Sequence, residues 1–184
     1  APPEPAGPHS AVPVPGRDLL VVTDEVYPKP FGAGCPYGWM RLVDTSDPAA
    51  PTVVGEHKLA ENAPGACPGD PRVTFTAHNA TATEHLALVS WHAAGLRAID
   101  ITDPTAPVGL AAFSPVPVAE VDTEDPALGG DPVLIWSYPV VQDGLIYVVD
   151  IRNGLQILRY RGVYEEELAG VGHREGNSNL GALG

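Results

Sequence analysis

The chain is poor in basic residues, sulfur and phenylalanine. Ten Lys and Arg stand against 23 Asp and Glu among 184 residues, giving a formal charge of −13. A surface of that sign repels phosphate backbones, which argues against a nucleic-acid partner. No apolar run approaches the roughly 20 residues a helix needs to cross a bilayer, so no direct membrane span is expected. The two cysteines form no CxxC pair and no cluster with His at ligand spacing, which argues against a structural zinc site. A GxSxG elbow, a P-loop, a dinucleotide fingerprint, HExxH and HxH are all missing, so no standard catalytic set is legible. The only methionine is Met40, so Ala1 is not a translation start. A mature chain freed of a secretion signal fits that start, and an expression boundary or a cut fragment gives the same one.

Gly (20) and Pro (21) are abundant, and the hydrophobic fraction is 44%, which argues against disorder for most of the chain. Residues 1–16, APPEPAGPHSAVPVPG, carry six prolines and read as an extended N-terminal stem. Residues 165–184 read as an acidic, Gly-rich flexible tail with at most one helical turn at its start. Between them the apolar runs are short, β-branched and turn-bounded: 19–23, 40–43, 52–54, 86–91, 96–101, 108–113, 133–141, 145–149 and 155–160. Strand-length runs of this kind, without a sustained helical period, mean an all-β chain.

The runs repeat. DLLVVTD (18–24), HLALVSW (85–91) and GLIYVVD (144–150) superimpose without a gap. Each is followed by a Gly-containing turn and a second strand, WMRLVD (39–44), GLRAID (95–100) or GLQILR (154–159). After the second strand, DTSDPAAP and DITDPTAP recur at an offset of 56 residues. A fixed-period supersecondary unit marks a repeat architecture. Asp47 and Asp103 suit Asx-type turns, Pro48 and Pro104 preset φ, and Pro51 and Pro107 disfavour helix before the outgoing strand. These residues are therefore read as structural, and calcium is not needed to explain them.

Each unit reads as four antiparallel strands, the description of a propeller blade. Blades are expected near 17–60, 73–118 and 133–164, within one array spanning 17–164. The first is interrupted by YPKPFGAGCPYG, and the third lacks the DP turn and a fourth strand. Three blades do not close a propeller, so the remaining blades are expected from the parent chain or another chain. A three-unit sheet or prism is the less favoured alternative. The acidic stretch 119–131 reads as a solvated loop between the second and third units.

WMRLVDTSDPAAPTVVG and GLRAIDITDPTAPV resemble the LVIVD repeat, in which a strand reading roughly L-x-V-x-D precedes an S-D-P-x-x-P turn. AHNATATEHLALVSWHAAGLRAIDITDP is similar to a characteristic stretch of secreted bacterial members, with His78-Asn79 before the strand and Ser90-Trp91 closing it. The similarity covers about residues 18–160. It implies a β-propeller fold, and it says little about activity, because one fold hosts many functions.

Cys35 and Cys67 lie in turn-rich surroundings and suit a disulfide, which on a loop-entropy basis is worth about 3 to 4 kcal/mol. Two unpaired thiols are the competing reading. The bridge, together with the processed-looking start, points to a secreted or cell-surface location. The strongest functional cluster is His78, Asn79, His85, Trp91 and His92, where imidazoles can bind a metal, take a proton or hydrogen-bond loop carbonyls. Asp24, Glu25 and Asp150 occupy or flank the repeat position filled by Trp91, and are expected to crowd one mouth with His92, Trp91 supplying an apolar platform. Caps on strand ends are the plain alternative for the acids. Around the first-unit insertion, Tyr27, Phe31, Tyr37 and Trp39 read equally as an exposed recognition loop or a local core.

The function expected from these residues is non-enzymatic. It is that of an exported propeller segment that binds a surface protein or a carbohydrate, or completes a larger assembly. The alternative is a metal-dependent secreted enzyme, oxidase-like and similar to the methanethiol oxidase group, with His78 or His92 at a channel mouth. No cofactor is required by the first reading; the second calls for a transition metal, and calcium stays open.

Overall fold

The computed structural model describes residues 7–27, 34–67, 73–118 and 132–176. It is nearly all β, with three four-stranded antiparallel sheets. The first contains β1 (Pro8–Pro13), β2 (Leu19–Asp24), β3 (Met40–Asp44) and β4 (Thr52–His57) in sequential order. The second repeats that order with β5 (Ala80–Ala82), β6 (Leu86–Trp91), β7 (Gly95–Asp100) and β8 (Val108–Phe113). The third comprises β9 (Val140–Gln142), β10 (Leu145–Asp150), β11 (Gly154–Leu158) and β12 (His173–Arg174), in the order β11-β10-β9-β12. The only α-helix among the described residues is α1 (Glu165–Ala169).

Strand alternation explains how the sheets stack. In β6 the odd positions Ala87, Val89 and Trp91 join a core shared with Leu19, Val21, Met40 and Leu42 of the first sheet. The even positions Leu86 and Leu88 join a second core with Ile146, Val148 and Val141 of the third sheet. Successive side chains of a strand point to opposite faces, so a strand buried at every position is one with a sheet on each side. Every residue of β6 is buried. Fully burying each such Leu, Ile or Val stabilises by about 1.5 to 3 kcal/mol.

The DP turns form as their sequence demands. Asp47 Oδ1 accepts the Ala49 N–H at 3.0 Å and Asp103 Oδ1 accepts the Thr105 N–H at 2.9 Å. Asp44 and Asp100, three residues earlier, each take the N–H two positions on at 2.8 Å. Pro48, Pro51, Pro104 and Pro107 lie in and just after these turns, before β4 and β8. The hairpin glycines Gly95 and Gly154 share positive φ, 83° and 77°, which a side chain would strain.

Four expectations are corrected. The Pro-rich stem is not separate from the array, because its residues 8–13 form β1 and pair with β2. Its prolines sit at the strand's two ends, on an edge where missing N–H donors are tolerated. The entering strand of the second unit is β5 at 80–82, rather than 73–78, which forms no strand. The run 133–141 forms no continuous strand, since Pro139 interrupts it and Ile135 only bridges His92 and Asp150. The tail contains α1 followed by β12 on the free edge of β9, and its residues 177–184 lie outside the described residues. That strand makes the third sheet four-stranded from the opposite side to β4 and β8.

The tail is fastened by α1. Glu167 accepts hydrogen bonds from Thr83 Oγ1 (2.5 Å) and the His85 N–H (3.2 Å), and lies 2.6 Å from His85 Nδ1. Arg17 fastens the first sheet to the second by donating to the carbonyls of Ile101 (2.7 Å), Glu84 and Thr102. Cys35 and Cys67 are joined in a disulfide across 32 positions of sequence. No helix among the described residues is long and apolar enough to cross a membrane.

Candidate functional site

A histidine–carboxylate cluster lies where the first two sheets meet the start of the third unit. His9 comes from β1, Glu25 follows β2, His78 precedes β5 and His92 follows β6. The ladder fixes this convergence: β1 pairs with β2, which brings His9 beside the residue that leaves β2. The backbone bonds His78 N–H to Ser90 and Ser90 N–H to Asn79 bring His78 alongside the end of β6.

Glu25 is the hub. Its Oε2 lies 3.2 Å from His9 Nδ1, and its Oε1 lies 3.3 Å from His78 Nε2 and 3.4 Å from His92 Nε2. Tyr27 Oη donates to the same Oε1 at 2.6 Å. Burial, followed by that bond to Glu25, pushes the Tyr27 phenol far above its ordinary value, so it stays a donor. The rings pack closely, with His9 stacked on His78 at 4.2 Å and His92 stacked on Trp136 at 5.0 Å.

The two inner imidazoles are neutral near pH 7. Burial lowers His78 below the usual imidazole range, against the opposing pull of Glu25. Burial, reinforced by His78 and His9, lowers His92 well below it. Each has its outer nitrogen held. His78 Nδ1 lies 2.7 Å from the Trp136 carbonyl and 2.7 Å from Asn79 Nδ2, and His92 Nδ1 lies 3.3 Å from Thr74 Oγ1. A proton on His78 Nδ1 satisfies the carbonyl and leaves Nε2 bare toward Glu25. The other tautomer accepts from Asn79 and gives its Nε2–H to the carboxylate. His92 Nε2 is buried, with no hydrogen-bond partner.

The structure brings His78, Asn79, His92 and Glu25 of the expected cluster together, and disperses the rest. Trp91 is no platform, because it is fully buried in the core and its indole N–H donates to the Phe75 carbonyl at 3.0 Å. His85 instead stacks on Tyr164 and binds Glu167. Asp24 is buried against Arg41, which also meets Glu56 at 3.0 Å. Burial raises the Asp24 carboxyl above its ordinary value, against the lowering effect of Arg41. Asp150 caps its own turn, accepting from the N–H groups of Leu134, Arg152 and Asn153. The three repeat-equivalent positions therefore hold an ion pair, a core indole and a turn cap, and share no open mouth. Tyr37 and Trp39 are buried, and Phe31 lies outside the described residues, as does the loop 119–131.

His9, Thr74 and Trp136 were not legible as site residues. His9 is hidden in the proline-rich opening, and its only sequence signal is that a first blade needs an entering strand. A second feature of the molecule is the free face of the third sheet. The cross-strand pairs Val21–Leu42 and Thr23–Met40, then Leu88–Ala98 and Ser90–Leu96, then Tyr147–Ile157 and Val149–Leu155 stand at matching repeat positions. The first two sets are buried against the next sheet, whereas Val149, Leu155 and Ile157 are 42%, 57% and 56% exposed. Neither a family model nor a curated protein matches the chain.

Proposed function

We propose that this chain is a non-enzymatic, exported β-propeller segment whose work is assembly, and that a second copy of the same three-sheet unit covers its free end face. The observation that carries this reading is the recurrence of one face in three sheets: the first buries it on the second, the second buries it on the third, and the third leaves it wet. The opposite end supplies the complement. Leu20, Val22 and Val43 of the first sheet stand at the positions of Ala87, Val89 and Ile99, which the second sheet turns toward its predecessor. A head-to-tail contact of unlike faces closes into a ring when the rotation fits. Two copies supply six sheets, within the four to eight blades of propellers. The resemblance to secreted LVIVD-repeat proteins and the disulfide support an extracytoplasmic setting.

Sedimentation velocity on the tag-free chain tests the reading. The expected result is a discrete species of twice the chain mass. A monodisperse monomer at tens of micromolar that keeps its β circular-dichroism signal overturns it. The alternative of a metal-dependent, oxidase-like enzyme has one supporting observation, the convergence of His78 and His92 on Glu25. It requires turnover of a thiol substrate by the metal-loaded chain.

A further inference from the structure

We propose that His9, Glu25, His78 and His92 form a binding site for a divalent first-row transition ion of the zinc or copper type. The site is independent of the assembly reading, because all four side chains come from the first two sheets and the segments that flank them.

Three observations converge on it. First, donor atoms of His9, Glu25 and His78 all lie within 4.8 Å of one another. The three nitrogen–oxygen separations around Glu25 are 3.2, 3.3 and 3.4 Å. A tetrahedral ion with bonds of about 2.0 to 2.1 Å holds its ligand atoms about 3.3 to 3.4 Å apart, close to these separations, which run to Oε2 for His9 and to Oε1 for His78 and His92. His92 joins the three-residue group through Oε1. Second, His92 Nε2 is fully buried, has no hydrogen-bond partner and lies at the carboxylate. A buried ring nitrogen without a partner is unusual in a folded protein, and in the tautomer whose proton is on Nδ1, donated to Thr74, a metal ion satisfies it. Third, both inner imidazoles have their far nitrogens anchored, one at a backbone carbonyl and one at a hydroxyl. Outer contacts of this kind fix ring orientation and tautomer in metal sites.

The donor set chooses the class of ion. Three imidazoles and one carboxylate suit zinc, copper or nickel better than calcium or magnesium, which prefer oxygen. His9 gives the route in: its side chain is 35% exposed, against 4% and 0% for His78 and His92. An ion enters past His9, and water can complete its coordination on that side.

The test uses the tag-free full chain, stripped with chelator and dialysed. Zn2+ binding is followed by titration calorimetry, and Co2+ binding by visible absorption. One Zn2+ per chain is expected, with Co2+ bands of four-coordinate intensity. His9→Ala removes a partly exposed ligand, and Glu25→Gln keeps shape while weakening the oxygen donor. Each is expected to weaken Zn2+ binding at least tenfold while retaining the wild-type circular-dichroism spectrum. His173→Ala, on β12 and exposed, is expected to bind as the wild type does. Failure of the wild-type chain to take up Zn2+ overturns the proposal, as does equal uptake by Glu25→Gln and His9→Ala.

Discussion

Thr23 and Ser90 stand at the same position of successive repeats and make the same contact with the next sheet. The Thr23 hydroxyl donates to the His78 carbonyl, and the Ser90 hydroxyl donates to the Ser137 carbonyl at 2.5 Å. Both are fully buried. The third repeat has Val149 there, which has no hydroxyl to offer. Each polar contact sets the offset between two stacked sheets, because a hydrogen bond is directional where apolar packing is not.

Removing the Ser90 hydroxyl takes away the donor to the Ser137 carbonyl. Removing the Thr23 hydroxyl leaves the His78 carbonyl with only the 3.2 Å bond from Ser10 Oγ and deprives that Ser10 hydroxyl of its 2.6 Å partner. Thr23→Val is nearly isosteric and Ser90→Ala creates little volume, so the cost is that of the lost bond. Each is expected to destabilise by about 1 to 2 kcal/mol in urea unfolding, with an unchanged m-value. A loss below about 0.3 kcal/mol for both variants would show that the apolar faces alone set the offset.

The strands were legible because each is an apolar run of strand length ended by a turn, and because the runs repeat. The boundaries of β6 and β8 follow directly from 86–91 and 108–113. What failed were short strands whose pairing depends on a neighbour. β1 is masked by Pro8 and Pro13, β9 is cut off by Pro139, and β12 is two residues held by an edge that sequence does not reveal. The site was half legible for the same reason. His78, His92 and Glu25 stand at recognisable repeat positions, whereas His9 and Trp136 reach them only through the stacking of sheets.

Glu167 couples the tail to acidity. Partial burial raises its carboxyl, but hydrogen bonds from Thr83 and His85 outweigh that and leave it below the ordinary glutamate value of 4.5. A depressed folded-state value means that the anion is favoured by folding. The contribution is therefore complete above about pH 4.5 and is lost as pH falls through the folded-state value. Glu167→Gln is expected to reduce stability near neutral pH by on the order of 1 kcal/mol or less, since the group is partly solvated. The gap between variant and wild type should narrow as pH falls below the ordinary glutamate value and the carboxylate takes up its proton. Amide exchange across residues 165–174 checks which segment is released, and an equal gap at pH 7 and pH 3 would falsify the coupling.

The Cys35–Cys67 bridge closes a span of 32 positions that includes β3, β4 and the buried Tyr37 and Trp39. It limits the unfolded chain far more than the folded one, where the same strands are already held by ladders. Cys35→Ala with Cys67→Ala is expected to lower stability by about 3 to 4 kcal/mol, and thiol reduction of the wild type should reach the same value. Matching urea midpoints for the oxidised, reduced and doubly substituted chains would mean the ladders suffice without it.

Ile157 tests the proposed assembly role of the third sheet apart from its packing on the second. On β11 its cross-strand partner is Tyr147, and neither belongs to the core that holds the third sheet to the second. The neighbouring Leu158 points the other way and packs against that core. A carboxylate at 157 meets water in a lone chain, so Ile157→Asp should change the stability of an isolated unit by less than about 0.5 kcal/mol. Against a second copy the same carboxylate meets an apolar face and loses its hydration, which is costly when no cation faces it. The variant is therefore expected to sediment as a monomer at concentrations where the wild type is dimeric. Leu158→Asp should destabilise the third sheet whatever the association state, because its half-buried side chain already packs against the core inside one chain. A variant at 157 that remains dimeric would move the contact away from this face and leave its exposed apolar pairs without an assembly role.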